Sequence, residues 1–255
     1  MEKLKIGFVG LGVRGKMLLG TTLCCSDAVI TALCDVYEDR VSEAAKTVRE
    51  KQTESVKEYF DYKDLLADKN VDAVVISSSW DTHFMIAEES MKAGKITAVE
   101  VGGAYEVEEC WSLVRTYEAT KTPIMMLENC CYDRFELLVT SLARAGKLGE
   151  IVHCHGAYGH DLRAEVLGGN VNRHYRLDNY IKRNCENYPT HELGPIARLL
   201  DINRGNRMTA LVSVASKGVG LSEFAASDKN PDESLKNQKF AQGDVVDTII
   251  KCANG

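Results

Sequence analysis

The sequence predicts an α/β protein with two parts. The first is a doubly wound parallel sheet, and the second is an α+β domain with a mostly antiparallel open sheet. Three observations carry this. Short apolar runs alternate with helical segments through the first half of the 255-residue chain, the rhythm of a parallel sheet covered by helices on both faces. A glycine cluster, Gly10-Leu-Gly12-Val-Arg-Gly15, follows the first run directly. Near residue 150 the alternation stops, and the remaining strand-like runs are separated by polar stretches.

The elements follow in order. Leu4–Val9 reads as a buried strand, then the glycine turn, then a helix through Lys16–Leu19. Ala28–Cys34 is a second strand. Glu38–Lys51 is a charged helix with Val41, Ala44, Ala45 and Val48 at helical spacing. Val71–Ile76 is a strand ending in serines, and Thr82–Ala93 is a helix stopped by Gly94. A strand at Lys95–Glu100, a helix at Val107–Thr120 and a strand at Thr122–Leu127 complete the alternation. Beyond it, Ile151–His160 reads as a strand, residues 163–187 as a long loop, and Glu192–Leu200 as a helix with Leu193, Ile196, Leu199 and Leu200 on one stripe. Met208–Ser216 and Asp244–Cys252 are strands, with a polar loop at Pro231–Lys239. The expected domains are 1–130 and 131–255. Asn254-Gly255 is a hairpin signal, so a partner strand is expected beyond it and the chain is expected to be a fragment or truncated.

Composition excludes several classes. The net charge of −6 argues against a nucleic-acid protein, which needs a basic face. No apolar run approaches the roughly 20 residues that span a bilayer. The N-terminal Met1-Glu-Lys-Leu-Lys enters a strand at once, without room for a secretory signal, so a cytoplasmic location is expected. The nine cysteines contain no CxxC pair, so no metal site is expected from spacing. They are expected to be small buried hydrophobes in a reducing compartment, with Cys24-Cys25 and Cys130-Cys131 as packing residues rather than vicinal disulfides.

The glycine cluster is weak alone and strong in context, because it lies between a strand and a helix. Gly10 makes the turn, Gly12 lets backbone approach a pyrophosphate, and Gly15 lets helix and strand pack. The helix N-terminus then presents free N–H groups to phosphate. Asp35 ends the second strand, 35 − 15 = 20 residues past the last glycine, where a carboxylate binds ribose hydroxyls and repels a ribose phosphate. This is a Rossmann domain expected to bind NAD in preference to NADP. The residues expected at the cofactor are Gly10, Gly12, Val13, Arg14, Gly15, Asp35, Trp80, His83, Glu100 and Asn129. Trp80 either packs beside the nucleotide or covers a loop.

At this point the chain resembles the glucose–fructose oxidoreductase / inositol dehydrogenase / MocA (Gfo/Idh/MocA) superfamily. Dehydrogenases of that superfamily usually carry Glu-Lys-Pro after the fifth strand and an Asp four residues before a catalytic His. This chain has Glu100-Val101-Gly102, and Asn187 before His191. A narrower resemblance covers essentially the whole chain. Glu128-Asn-Cys-Cys-Tyr-Asp-Arg134, Gly156-Ala-Tyr158-Gly-His160-Asp-Leu-Arg163, Tyr188-Pro-Thr-His191-Glu-Leu-Gly-Pro195 and Ile202-Asn-Arg-Gly205 look like glycoside hydrolase family 109, known for NAD-dependent α-N-acetylgalactosaminidases.

The residues themselves leave alternatives open. Tyr158 and His160 are two apart on an expected strand, on one face roughly 7 Å apart, either in a site or packing a core. His153 and His155 would face solvent. His191 is at the start of a helix, where the dipole favours the neutral ring, and it is either a proton acceptor or a cap. Arg163, His174, Arg176 and Arg183 form a basic stretch that meets a polar sugar or water. The resemblance implies catalytic roles for His191, Tyr188, His160 and Tyr158. It also implies substrate-binding roles for Glu128, Tyr158, His160 and Tyr188. The implied reaction hydrolyses (N-acetyl)hexosaminides by transient oxidation at carbon 3, elimination, water addition and re-reduction, an exception to two-carboxylate glycosidases, with tightly bound, recycled NAD. His191 is the implied base at the carbon 3 hydroxyl. Tyr188 or Tyr158 is implied at the carbon 2 proton, and His160 at the leaving group or water. The partner expected is a small carbohydrate, with neither nucleic acid nor membrane, and a homo-oligomer by analogy. Two alternatives stand beside this: an NAD(P)-dependent sugar oxidoreductase, and a non-catalytic nucleotide-binding fragment.

Overall fold

The computed structural model describes residues 3–102 and 104–255. Met1 and Glu2, which open the N-terminal run read for a signal, and Gly103 lie outside them. The chain forms two compact units, Met1–Leu127 and Glu128–Gly255.

The first unit alternates strand and helix. In order these are β1 (Leu4–Val9), α1 (Val13–Thr22), β2 (Ala28–Cys34), α2 (Glu38–Lys51), β3 (Lys57–Tyr59), α3 (Tyr62–Ala67), β4 (Ala73–Ile76), α4 (Trp80–Lys92), β5 (Ile96–Val99), α5 (Val107–Thr120) and β6 (Ile124–Met126). The strands are all parallel, in the order β3-β2-β1-β4-β5-β6. The order reverses beside β1, which opens a crevice at the carboxyl ends of β1 and β4. Side-chain alternation along β1 explains the two buried layers. Ile6 and Phe8 face the α2 stripe of Val41, Ala44, Ala45 and Val48. Val9 faces the opposite layer with Leu65, Val74, Ile76, Ile86 and Val99. β3 and α3 escape sequence reading because three and six residues are too short to show a period. α3 is instead started by Asp61, whose side chain accepts from the Lys63 amide.

The second unit begins with a tight turn at Asn129–Tyr132 and α6 (Arg134–Arg144). Three short helices follow: α7 (Arg163–Leu167), α8 (Gly169–Asn172) and α9 (Arg176–Lys182). These correct the loop expected over 163–187. Each helix has at most seven residues and buries at most two side chains, too few to reveal a period. Their core is Leu162, Val166, Leu167 and Leu177 with Leu221, Ala225 and Leu235. Helix α10 (Pro189–Leu199) starts on Pro189 at its first position, where a missing N–H costs nothing. β7 (Met208–Ala215), α11 (Gly220–Ala226) and β8 (Val246–Cys252) complete the unit. β7 and β8 form a two-stranded antiparallel sheet, with Met208 opposite Cys252 and Ala215 opposite Val246.

Two further expectations are corrected. Residues 151–160 form no ladder with another described strand. The segment runs against α10 instead: a Cβ on Gly156 would lie 2.6 Å from Glu192 Cβ. The cysteines are all free thiols, but only Cys34 is buried, and Cys24, Cys25 and Cys110 are exposed. Cys24 and Cys25 fall in the turn after α1, where nothing packs over them. No helix among the described residues is long and apolar enough to cross a membrane.

Candidate functional site

In the first unit the glycine turn has the expected division of labour. Gly10 is left-handed, at φ 91°, and a Cβ there would strike the Ser77–Ser78 backbone. A Cβ on Gly15 would collide with the Gly10 carbonyl, so α1 sits directly on β1. Gly12 differs: its Cβ would meet only Arg40 Nη1, 3.8 Å away. The open side of the peptide at Gly12 is therefore a cradle that a side chain would fill, and it fits a dinucleotide pyrophosphate.

Asp35 is 7% exposed and braces this turn. Its Oδ2 accepts from the Leu11 amide at 2.7 Å and its Oδ1 from the Tyr37 amide at 3.0 Å. Arg40 Nη1 stands 3.8 Å from Oδ2, with its guanidinium over the Tyr37 ring. Arg14 pairs with Glu100 at 2.7 Å. Trp80 and His83 are buried at the start of α4. Trp80 lies against Gly102, and His83 Nε2 is 3.1 Å from the Ser78 carbonyl. Burial pushes the His83 ring toward its neutral form. Val13 is largely exposed at the first turn of α1. The loop at Glu100-Val101-Gly102 departs in geometry from Glu-Lys-Pro as well as in sequence. Gly102 has φ 81°, which proline, locked near −65°, cannot adopt.

The second unit gathers the residues implied by the resemblance. His191 lies in the first turn of α10, with Nδ1 2.8 Å from Glu128 Oε1. The Tyr188 ring stacks on His191, with centroids 5.1 Å apart and planes 6° apart. The Tyr158 ring lies 4.7 Å from that of His191 and 5.5 Å from that of Tyr188. Tyr158 Oη is 3.2 Å from His160 Nδ1. Tyr158, His160, Tyr188, His191 and Glu128 therefore form one cluster. Gly194 makes this possible, since a Cβ there would come 3.0 Å from Glu128 Cγ and 2.9 Å from Cys131 Sγ.

Glu128 is 5% exposed. Burial alone would raise its carboxyl, but the Thr190 hydroxyl, the His191 ring and the Cys130 amide outweigh that and hold it below the usual range. An ionised Oε1 requires a proton on Nδ1, and in the neutral tautomer so fixed Nε2 is the nitrogen with the free lone pair. Oε2 is buried without a well-formed hydrogen bond, as is the Thr190 hydroxyl. Asn129 Nδ2 lies 3.6 Å from Cys130 Sγ.

From sequence, Arg176 belongs to an undivided basic stretch and Cys130 reads only as a packing residue. Arg176 donates to the Tyr188 hydroxyl, lies over its ring at 5.3 Å and pairs with Glu165. His174 Nε2 is 3.4 Å from the same Glu165 carboxylate. Arg163 pairs instead with Asp161 and lies over Phe224. The burial of Arg176 had no sequence signal, because the three short helices that enclose it had none. Cys130 adjoins Glu128 through a tight turn, and only its place in the Glu128-Asn-Cys-Cys motif pointed to it. Burial and then Glu128 push its thiol up to about 11.

Comparison with known proteins gives two family matches along the chain. Residues 4–127 match the oxidoreductase family NAD-binding Rossmann fold, and residues 132–255 match the glycosyl hydrolase 109 C-terminal domain. An alpha-N-acetylgalactosaminidase and a glycosyl hydrolase family 109 protein 2, both of Bacteroides fragilis, are each 39% identical over 262 residues, covering 100% of this chain and 62% of the relative. A family 109 protein of Solibacter usitatus is 34% identical, covering 98% of this chain and 59% of its own length. The chain thus spans about 60% of the curated relatives it matches. Among solved structures, scyllo-inositol dehydrogenase of Lactobacillus casei superposes with a TM-score of 0.69 at 16% identity, covering 99% of this chain and 66% of that one. An NAD-binding protein of Listeria innocua gives 0.67 at 20%, covering 100% and 65%. At such identities the likeness is one of fold. With a Gfo/Idh/MocA-type NAD-binding Rossmann domain in one half and the family's own C-terminal domain in the other, the chain belongs to glycoside hydrolase family 109.

Proposed function

We propose that this chain is the NAD-binding and catalytic part of a glycosidase that cleaves N-acetylhexosaminides by transient oxidation at carbon 3. The observation that carries the reading is the single cluster of Glu128, Tyr158, His160, Tyr188 and His191, with one His191 nitrogen tied to a buried carboxylate. The 39% identity to a Bacteroides fragilis alpha-N-acetylgalactosaminidase supports the substrate class.

Gly10, Gly12, Val13, Arg14, Gly15 and Asp35 would hold the dinucleotide. When bound, NAD supplies a hydride acceptor that later returns the hydride, so the sugar is oxidised only transiently. The chain's own residues move the protons. His191 Nε2 accepts the carbon 3 hydroxyl proton, while Glu128 keeps Nδ1 protonated and stabilises the charge that develops on the ring. A ketone at carbon 3 acidifies the carbon 2 proton, and removal of that proton expels the aglycone from carbon 1. Tyr188 is the residue for this proton, because Arg176 donates to its oxygen and lies over its ring. A guanidinium there stabilises a phenolate. Tyr158 and His160, joined at 3.2 Å, serve the leaving group and the incoming water.

The test uses a chromogenic α-N-acetylgalactosaminide with no cofactor added. Release of chromophore with a flat NADH signal is the expected result. Steady NADH production from free sugar would instead favour a sugar oxidoreductase, and nucleotide binding with neither signal a non-catalytic chain.

A further inference from the structure

We propose that Glu128, Cys130 and His191 form a binding site for Zn2+, and that zinc held there disables His191 as a proton acceptor. The first half stands on geometry alone, whereas the second rests on the proposed role of His191.

One ligand atom from each of these residues lies within 4.8 Å of the other two. One of these separations is the 2.8 Å between Glu128 Oε1 and His191 Nδ1. Around a tetrahedral zinc, with bonds of about 2.0 to 2.3 Å, ligand atoms stand about 3.3 to 3.8 Å apart. The cluster therefore needs a shift of under about an ångström at each atom, with the ion replacing the hydrogen bond. The donor set is one imidazole nitrogen, one sulfur and one carboxylate oxygen. Zinc accepts all three, whereas Mg2+ and Ca2+ demand oxygen. A second observation points to a cation. Glu128 is 5% exposed, and its Oε2 is buried without a well-formed hydrogen bond, beside a Thr190 hydroxyl that lacks one too. An oxygen in that state costs free energy, and bidentate or alternating coordination would satisfy it.

The scaffold is built before any ion arrives. The turn at Asn129–Tyr132 places Cys130 beside Glu128, whose Oε1 accepts from the Cys130 amide at 3.0 Å. The first turn of α10 supplies His191 from 63 residues further along. Sequence spacing gave no hint, because the ligands do not form a CxxC or HxxxH pattern.

The proton balance decides the consequence. The Cys130 thiol gives its proton to solvent as the Zn–S bond forms. The proton on His191 Nδ1 is displaced, and in the neutral ring it resides on Nε2. Nε2 then donates and can no longer accept. Three protein ligands leave the fourth position open to water. Zinc would act as a reversible inhibitor of a reaction whose own chemistry uses no metal.

The experiment uses the purified chain with Co2+ and Zn2+ as probes. Cobalt should bind one to one and show thiolate-to-cobalt charge-transfer absorption with the intense visible bands of a tetrahedral site. Zinc should displace it. Cys130→Ser should remove the charge-transfer absorption and weaken zinc at least about tenfold in calorimetry, and His191→Ala should do likewise. Cys24→Ser and Cys25→Ser should do neither. Nitrogen NMR of the imidazoles should find Nε2 of His191 protonated when zinc is bound. Retention of the charge-transfer absorption and of zinc affinity in Cys130→Ser would overturn the site. An unprotonated Nε2 in the zinc-bound chain would overturn the inhibition. A chain that binds zinc as expected but hydrolyses nothing supports the metal site and counts only against the glycosidase reading.

Discussion

Nδ1 of His191 lies 2.8 Å from Oε1 of Glu128, with the two side chains 11% and 6% exposed. The two residues come from opposite ends of the site: a turn that opens the second unit, and the first turn of α10. The carboxylate sets which ring nitrogen carries the proton, and so which can accept one.

His191→Ala is expected to lower hydrolysis by about a hundredfold to ten-thousandfold, the usual contribution of a general base. NAD affinity should be unchanged, because Gly10, Gly12, Gly15 and Asp35 set it. Exchange of the carbon 2 proton with deuterated solvent should fall in parallel, since it follows the oxidation. Exchange that survives while hydrolysis is lost would move His191 to the leaving-group step and give His160 the base role. Hydrolysis near the parent rate would leave His191 a helix residue only.

The Glu128 carboxyl is held below its ordinary value, which ties stability to acid. A depressed folded-state pKa contributes stability that is fully present above the unfolded-state value, about 4.3 for glutamate. That stability is lost as pH falls through the lower folded-state value. The melting temperature of the parent should therefore drop more steeply below about pH 4.5 than that of Glu128→Gln, which has no carboxylate to protonate. Parallel melting curves for the two proteins across that range would contradict the assignment.

Asp35 accepts from two backbone amides, Leu11 and Tyr37, in the position where a carboxylate meets ribose hydroxyls. The protein should bind NAD more tightly than NADP, and calorimetry giving equal affinities would refute this. Asp35→Ser should weaken NAD by about tenfold or more and narrow the gap to NADP, since it removes a carboxylate that repels a ribose phosphate. Arg40, 3.8 Å from Asp35, would then be the nearest cation to that phosphate.

Gly102→Ala should destabilise the protein by about 1–2 kcal/mol or more, because φ 81° is left-handed and the added Cβ would lie 2.7 Å from Trp80 Cδ1. Gly20→Ala is the contrasting change. Gly20 lies inside α1 with nothing within 4 Å of an added Cβ, so alanine should stabilise by about 0.5–1 kcal/mol. Thermal shifts of opposite sign, about 2–4 °C per kcal/mol, would bear this out. The neighbouring Val101 is buried, so Val101→Lys would bury a charge in a loop of the wrong shape. Steady NADH production from free sugars by that variant is not expected.

By itself the sequence determined the alternation of the first unit apart from β3 and α3. β1, β2, α2 and α5 begin and end where periodicity and glycine placement put them, because each is long enough to show its period and local enough to need no distant partner. It also determined the dinucleotide turn, since the roles of Gly10, Gly12 and Gly15 follow from backbone geometry within six residues. In the second unit α10, β7 and β8 were also legible, and tertiary structure decided the rest. The helices over 163–182 are too short to announce themselves and exist because Leu162, Val166, Leu167 and Leu177 meet Leu221, Ala225 and Leu235. The run at 151–160 has strand-like residues but lies along α10 without a ladder, because strand identity depends on a partner and not on composition. The pairing of Glu128 with His191, and the approach of Cys130 to both, was likewise hidden. Sixty-three residues separate Glu128 from His191, and the folded chain closes that distance through Gly194, the one position on α10 where a missing Cβ leaves room for the carboxylate turn.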